Sequence, residues 1–295
     1  MSDPADVLRD LKAAKEFFIG IDSDGCVFDT MEIKHKECFA PMFIKHFGLQ
    51  AASKYARQVW EFVNLYSKTR GVNRFPALSR SLNLLRERRE VIARQVAVPD
   101  TRALDDWISR EKALSNAALK QEVQAGNAAL EPVQAWSLAV NVAIEDIVKG
   151  VPPFPFFRES LARMNERADT LVVSQTPTEA LVREWVEHGI DRQVRAIAGQ
   201  ELGTKTDHLR LAAAGKYPPE RILMIGDAPG DFKAARGNHA LFFPINPGHE
   251  ETSWERFFTE ALARFFAGTY AGAYEAALIR EFDACLPEKP PWASN

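Results

Sequence analysis

Five short apolar runs punctuate the chain, at 17–21, 170–173, 194–198, 222–225 and 240–243. Runs of this length without polar alternation read as strands buried on both faces, the habit of a parallel sheet. Between most of them lie helical patterns, such as 179–188, which closes at Gly189. Strands alternating with helices imply crossover connections and a parallel sheet with helices on both faces, so the expected fold class is α/β.

The interval between the first and second runs breaks that rhythm. From about residue 31 to residue 148 every strong pattern is helical. Phe39, Phe43 and Phe47 recur every fourth residue until Gly48. Further stripes follow at Tyr55, Val59, Phe62, Val63 and Tyr66, then Phe75, Leu78, Leu82 and Leu85, then Leu104, Trp107 and Ile108, and last Trp136, Val140, Ile144 and Ile147. Such stripes are packing faces. The expected organisation is an α/β domain of residues 1–30 and 149–295, interrupted by a helical domain of residues 31–148. Two amphipathic helices follow the fifth run, one with Trp254, Phe257, Phe258, Leu262 and Phe265, the other with Tyr270, Tyr274, Leu278 and Phe282. The stretch 287–295 is expected to fray.

Composition narrows the class without naming a chemistry. The 295 residues are 46% hydrophobic and 26% charged, ordinary for a globular protein. A net charge of −3 gives no electrostatic reason to expect nucleic acid or an anionic membrane as partner. No apolar run reaches the roughly 20 residues of a spanning helix, and residues 1–15 lack the apolar centre of a signal peptide. Cys26, Cys38 and Cys285 show no metal-ligand spacing, which fits a reducing, cytoplasmic setting. Cys26 is expected to be a small apolar filler, and the six histidines, also without metal spacing, to be surface or packing residues.

Chemistry concentrates at the carboxyl ends of the runs, where open α/β sheets place their sites. The first run ends in Asp22-Ser23-Asp24-Gly25. In extended backbone residues i and i+2 share a side, so Asp22 and Asp24 are expected to converge. Two carboxylates in one pocket imply a cation or a shared proton. Ser174 follows the second run just before a helix, either as part of an anion cradle or as a cap. Lys205 opens a helix, against the dipole, and so suggests a nearby anion. Asp227, in Gly226-Asp227-Ala228-Pro229-Gly230-Asp231, ends the fourth run much as Asp22 ends the first, with glycines that allow close backbone approach. Arg70 and Arg74 flank a turn in the helical insertion, as substrate contacts or as solvated helix ends.

The ordered set resembles the haloacid dehalogenase superfamily over residues 15–30 and 150–245. The resemblance implies a Rossmann-like core with an α-helical cap inserted after the first motif. It implies Asp22 as nucleophile, forming an aspartyl-phosphate, and Asp24 as the acid and base. It implies Mg2+ held by Asp22, the Asp24 carbonyl and Asp227, with Ser174 and Lys205 on the phosphoryl group. Asp231, Gln175 and Thr176 would support them. Gln175 stands where the family often has Asn, and Thr206 where Pro often follows the lysine. By the same resemblance, an acid at position 24 favours phosphate esters over carbon–halogen bonds.

The leading expectation is a magnesium-dependent phosphatase for a small phosphorylated metabolite, with the cap closing over it. A phosphomutase using the same intermediate, and a non-catalytic protein holding a metal or phospholigand, are the alternatives. The aromatic C-terminal helices either cover the core or pair two subunits as a homodimer.

Overall fold

In a computed structural model, residues 3–294 are described, and they divide into two units. Among the described residues, one comprises 3–30 and 150–287, the other 31–149 and 288–294. The first unit is α/β. Its five strands are β1 (Phe17–Ile21), β2 (Ala168–Val173), β3 (Ala196–Ala198), β4 (Ile222–Gly226) and β5 (Leu241–Pro244). They form one parallel sheet in the order β3-β2-β1-β4-β5. The chain thus builds outward from β1 in one direction and then the other, a Rossmann-like plan whose switch point lies beside β1.

Burial explains why β1 is central. Phe17, Ile19 and Ile21 belong to one apolar cluster and Phe18 to the other, as the two-residue period of a strand requires. Burying each of these four side chains contributes about 2 kcal/mol. Helices Phe157–Arg167 and Thr178–Glu187 supply Leu161 and Trp185 to the first cluster. Helices Lys205–Ala212 and Pro229–Gly237 supply Leu209 and Ala234 to the second. Gly20 makes room between them: a Cβ there would stand 2.9 Å from a Leu209 methyl.

The strands differ from expectation at their edges. β2 begins at Ala168, two residues earlier than its apolar run suggests, because Asp169 is paid for by partners. Its carboxylate accepts from the Ala14 and Lys15 amides at 2.8 and 3.0 Å and from Tyr217 at 2.6 Å, and pairs with Arg195 at 2.6 Å. Val194 and Arg195 fall outside β3, although the Arg195 amide still donates to the Thr170 carbonyl of β2 at 2.8 Å. Among the histidines, His208 is a fully buried packing residue. Cys26 is fully buried as well, and its carbonyl accepts the Trp254 indole N–H at 2.7 Å.

The second unit is helical. Its main helices are Ala40–His46, Ser53–Asn64, Arg74–Arg86, Arg102–Arg110, Asn116–Gln124 and Glu131–Ile147. Phe39, Phe43, Phe47, Trp60 and Trp136 meet in its core, with Phe43 and Trp60 ring centroids 5.1 Å apart. The Phe39 stripe begins as a π-helical turn, Lys34–Phe39, which its spacing did not announce. Residues 288–294 are ordered against this unit instead of fraying with the first: Trp292 meets Phe62 edge to face, and Arg88 lies 4.4 Å over its ring. Among the described residues, no helix is long and apolar enough to cross a membrane.

Burial alone would raise the pKa of Asp169, but its four donors outweigh that and hold it below the ordinary value. A depressed acid stabilises the fold above its unfolded pKa, and that contribution is lost as pH falls through the folded value. Asp169→Asn is therefore expected to cost about 3 kcal/mol at neutral pH in chemical denaturation. The gap should close below about pH 4. A pH-independent difference would contradict this.

Candidate active site

The site forms where β1, β2 and β4 end side by side. In the sheet Ile21 is level with Val172 on one flank and Ile225 on the other. The Asp22 amide continues the ladder, donating to the Ile225 carbonyl at 3.0 Å. Asp22 and Asp227 are thereby brought together from sequence positions two hundred residues apart.

Asp22 is buried, and its carboxylate is held at both oxygens. Oδ1 accepts from the Ser23 amide at 2.8 Å, and Oδ2 lies 2.8 Å from Lys205 Nζ. The same ammonium reaches Asp231 Oδ1 at 2.6 Å, and Asp231 Oδ2 accepts from the Ala228 amide at 3.0 Å. Lys205 sits at the first position of its helix because Thr204 and Asp207 form a capping box, each side chain bonding the other's amide. The anion that a lysine at a helix start calls for is thus present twice over.

Asp22, Asp227 and Asp231 have carboxylate oxygens within 4.8 Å of one another, all buried. Burial is the main cause that raises the Asp22 pKa to about 7. Lys205 works against it, and Asp227 adds to it. Burial likewise raises Asp231 to about 6, opposed by Lys205. For Lys205 burial disfavours the charge, but Asp22 and Asp231 outweigh it and raise its pKa. Lys205 reaches two of these three acids, and the carboxylate oxygens are the hard donors that a small divalent cation prefers. The buried triad is fit to hold a metal ion.

Asp24 follows Asp22 by two residues, beyond the end of β1. The chain leaves β1 in a tight turn, with the Ser23 carbonyl accepting from the amides of Cys26, Val27 and Phe28 and with Gly25 at φ 76°. The half-buried Asp24 carboxylate stands outside the triad. Its Oδ1 accepts from the Thr30 hydroxyl at 2.5 Å and its Oδ2 from the Thr176 hydroxyl at 2.6 Å. Ser23, between the two aspartates, faces the other way and receives the Trp185 indole N–H at 3.0 Å.

Ser174 is buried, and its Oγ accepts the Thr176 amide at 3.2 Å, which leaves its own proton to donate. It does not cap the following helix. There the Thr178 amide and hydroxyl go to Glu201 at 2.9 and 2.7 Å. Gln175 is exposed and spans to the Gly203 carbonyl at 3.0 Å. Arg70 and Arg74 belong to the helical unit, and neither is a solvated helix end. Arg70 is buried and donates to the Leu65 carbonyl at 3.0 Å. Arg74 donates to Ser137 Oγ at 3.0 Å and Asn141 at 2.7 Å and stacks over Phe39.

Sequence reasoning passed over Thr30 and the Thr204–Asp207 capping box. The box was visible as a Thr-x-x-Asp spacing. Thr30 carries no such sign, because its role depends on how the turn folds back.

No family model matches the chain, and no curated protein does. Solved structures similar to it include proteins described as haloacid dehalogenase-like hydrolases and as phosphoglycolate phosphatases. One is a haloacid dehalogenase-like family hydrolase from Streptococcus pneumoniae, at 14% identity and TM-score 0.43 over 81% of this chain and 91% of that one. A second, from Xanthomonas campestris, has 11% identity and TM-score 0.44 over 93% and 95%. A third, a predicted phosphoglycolate phosphatase from Haemophilus somnus, has 16% identity and TM-score 0.43 over 78% and 84%. Likenesses this distant bear on neither activity nor substrate, which rest on the residues of this chain.

Gly226 is a close-approach glycine: a Cβ there would lie 2.3 Å from Asp231 Cγ. Gly226→Ala is expected to push Asp231 off Lys205 and to destabilise the fold by about 2 kcal/mol in urea denaturation. A change under about 0.5 kcal/mol would show that the approach is not required.

Proposed function

We propose that the chain is a magnesium-dependent phosphatase for a small phosphorylated metabolite, working through an aspartyl-phosphate on Asp22. The observation that carries this reading is the unequal treatment of the first two aspartates. Asp22 belongs to the buried triad and pairs with Lys205, whereas the Asp24 carboxylate lies outside the triad and is held by two hydroxyls. A protein that merely bound a metal would have no need of that fourth, separately held acid.

Asp22, Asp227 and the Asp24 carbonyl would hold Mg2+, which supplies charge neutralisation for the phosphoryl oxygens. The remaining work falls to the chain. A carboxylate oxygen of Asp22 attacks phosphorus while the bond to the leaving oxygen breaks. The Asp24 carboxyl gives its proton to that oxygen, and afterwards its carboxylate takes a proton from the attacking water. That attack breaks the bond between phosphorus and Asp22 and releases inorganic phosphate. Lys205 offsets charge on the phosphoryl group, and the free Ser174 proton is a further donor to it. Asp231 keeps Lys205 in place.

With purified protein and Mg2+, Asp22→Asn is expected to lower phosphate release from an aryl phosphate by about 10³-fold or more. Asp227→Asn should raise the Mg2+ concentration needed by roughly tenfold or more. Full activity of the Asp22 variant would sink the assignment. Recovery of the phosphoryl group on a second substrate hydroxyl, in place of free phosphate, would turn it toward a phosphomutase.

A further inference from the structure

We infer that Thr176 is a positioning residue for the proton transfers of Asp24, an inference that rests on the phosphatase reading above. Both oxygens of the Asp24 carboxylate accept hydroxyl protons, from Thr30 at 2.5 Å and from Thr176 at 2.6 Å. Held at both ends, the carboxyl plane has a fixed orientation. Free rotation about its bond to Cβ would otherwise spread the proton over many directions, and proton transfer depends on alignment within hydrogen-bond reach.

The choice of hydroxyls suits a group that both gives and takes a proton. An amide N–H or an ammonium only donates and would favour the ionised form alone. A hydroxyl donates to the carboxylate and, after a turn about its C–O bond, accepts from the carboxylic acid. Thr176 can therefore hold Asp24 in either protonation state, and it donates to Asp24 when the acid proton is turned to the leaving oxygen. In the first transfer the proton passes from the Asp24 carboxyl to the leaving oxygen, and in the second from water to the Asp24 carboxylate.

The position of Thr176 is itself fixed. Its amide donates to Ser174 Oγ at 3.2 Å, and its carbonyl accepts from the Gln200 amide at 3.2 Å. Gly199 closes against the same loop, where a Cβ would stand 2.6 Å from the Thr176 carbonyl oxygen and 2.5 Å from the Thr178 amide. Ser174, the phosphoryl-binding candidate, and Asp24, the proton carrier, are thus joined through one threonine.

The test uses leaving groups of different basicity. A good leaving group such as 4-nitrophenolate departs with little need of a proton, whereas an alkoxide needs one. In Thr176→Val, kcat/KM is expected to fall by about threefold for 4-nitrophenyl phosphate and by about 30-fold or more for alkyl phosphates. Thr176→Ser should stay within about threefold of the parent on both. If Thr176→Val does not fold by circular dichroism, Thr176→Ala carries the same comparison. An equal loss across the series, or a serine variant as impaired as the valine one, would overturn the proposal. So would an active parent protein matched by its valine variant on every ester, with the phosphatase reading left intact. A parent protein that hydrolyses no phosphate ester would overturn both.

Discussion

One ammonium group makes the site tenable. Lys205 stands between Asp22 at 2.8 Å and Asp231 at 2.6 Å, three charges drawn from the end of β1, the helix after β3 and the helix after β4. Buried carboxylates are costly unless paired, and removing one member leaves the others uncompensated. The sheet order and register, the capping box at Thr204 and the bare Cα of Gly226 all serve to bring these charges together. Even so, burial keeps the Asp22 pKa raised against the pull of Lys205, and Asp227 adds to the rise. The three buried carboxylates that share this corner with Lys205 are fit to take up a metal ion.

The two aspartates of the opening motif differ in environment. Asp22 is fixed by a backbone amide and the lysine, which suits the nucleophile's role proposed for it. Asp24 is fixed by side-chain hydroxyls, which tolerate a proton coming and going. The two follow one another out of β1 into a tight turn, where the Ser23 carbonyl gathers three amides and Gly25 takes a positive φ.

Much of this was legible in the sequence because it was local. The unbroken apolar run at 17–21 marked the central strand, and the carboxylates, Ser174 and Lys205 were visible at the ends of strands or starts of helices. The lysine's unfavourable place on a helix dipole pointed to the anions found beside it. What stayed hidden depends on tertiary closure. Thr30 looks like any helix-start threonine until the turn carries it to Asp24. The π turn at Lys34–Phe39 shares its four-residue spacing with an α-helix. Asn116–Gln124 buries only Leu119 deeply, so it shows no stripe. Trp292 lies in a polar, proline-rich end whose order comes from Arg88 and Phe62, far away in sequence.

The central claim is a covalent bond between Asp22 and phosphorus, and trapping that bond tests it most directly. Protein turning over a phosphate ester with Mg2+ would be quenched within milliseconds, reduced with borohydride and mapped by peptide mass spectrometry. Borohydride converts an aspartyl-phosphate to homoserine, so the modified position reports the nucleophile. The expected result is homoserine at position 22 alone, appearing only with substrate. Its absence during active turnover, or its appearance at Asp24, Asp227 or Asp231, would contradict the assignment.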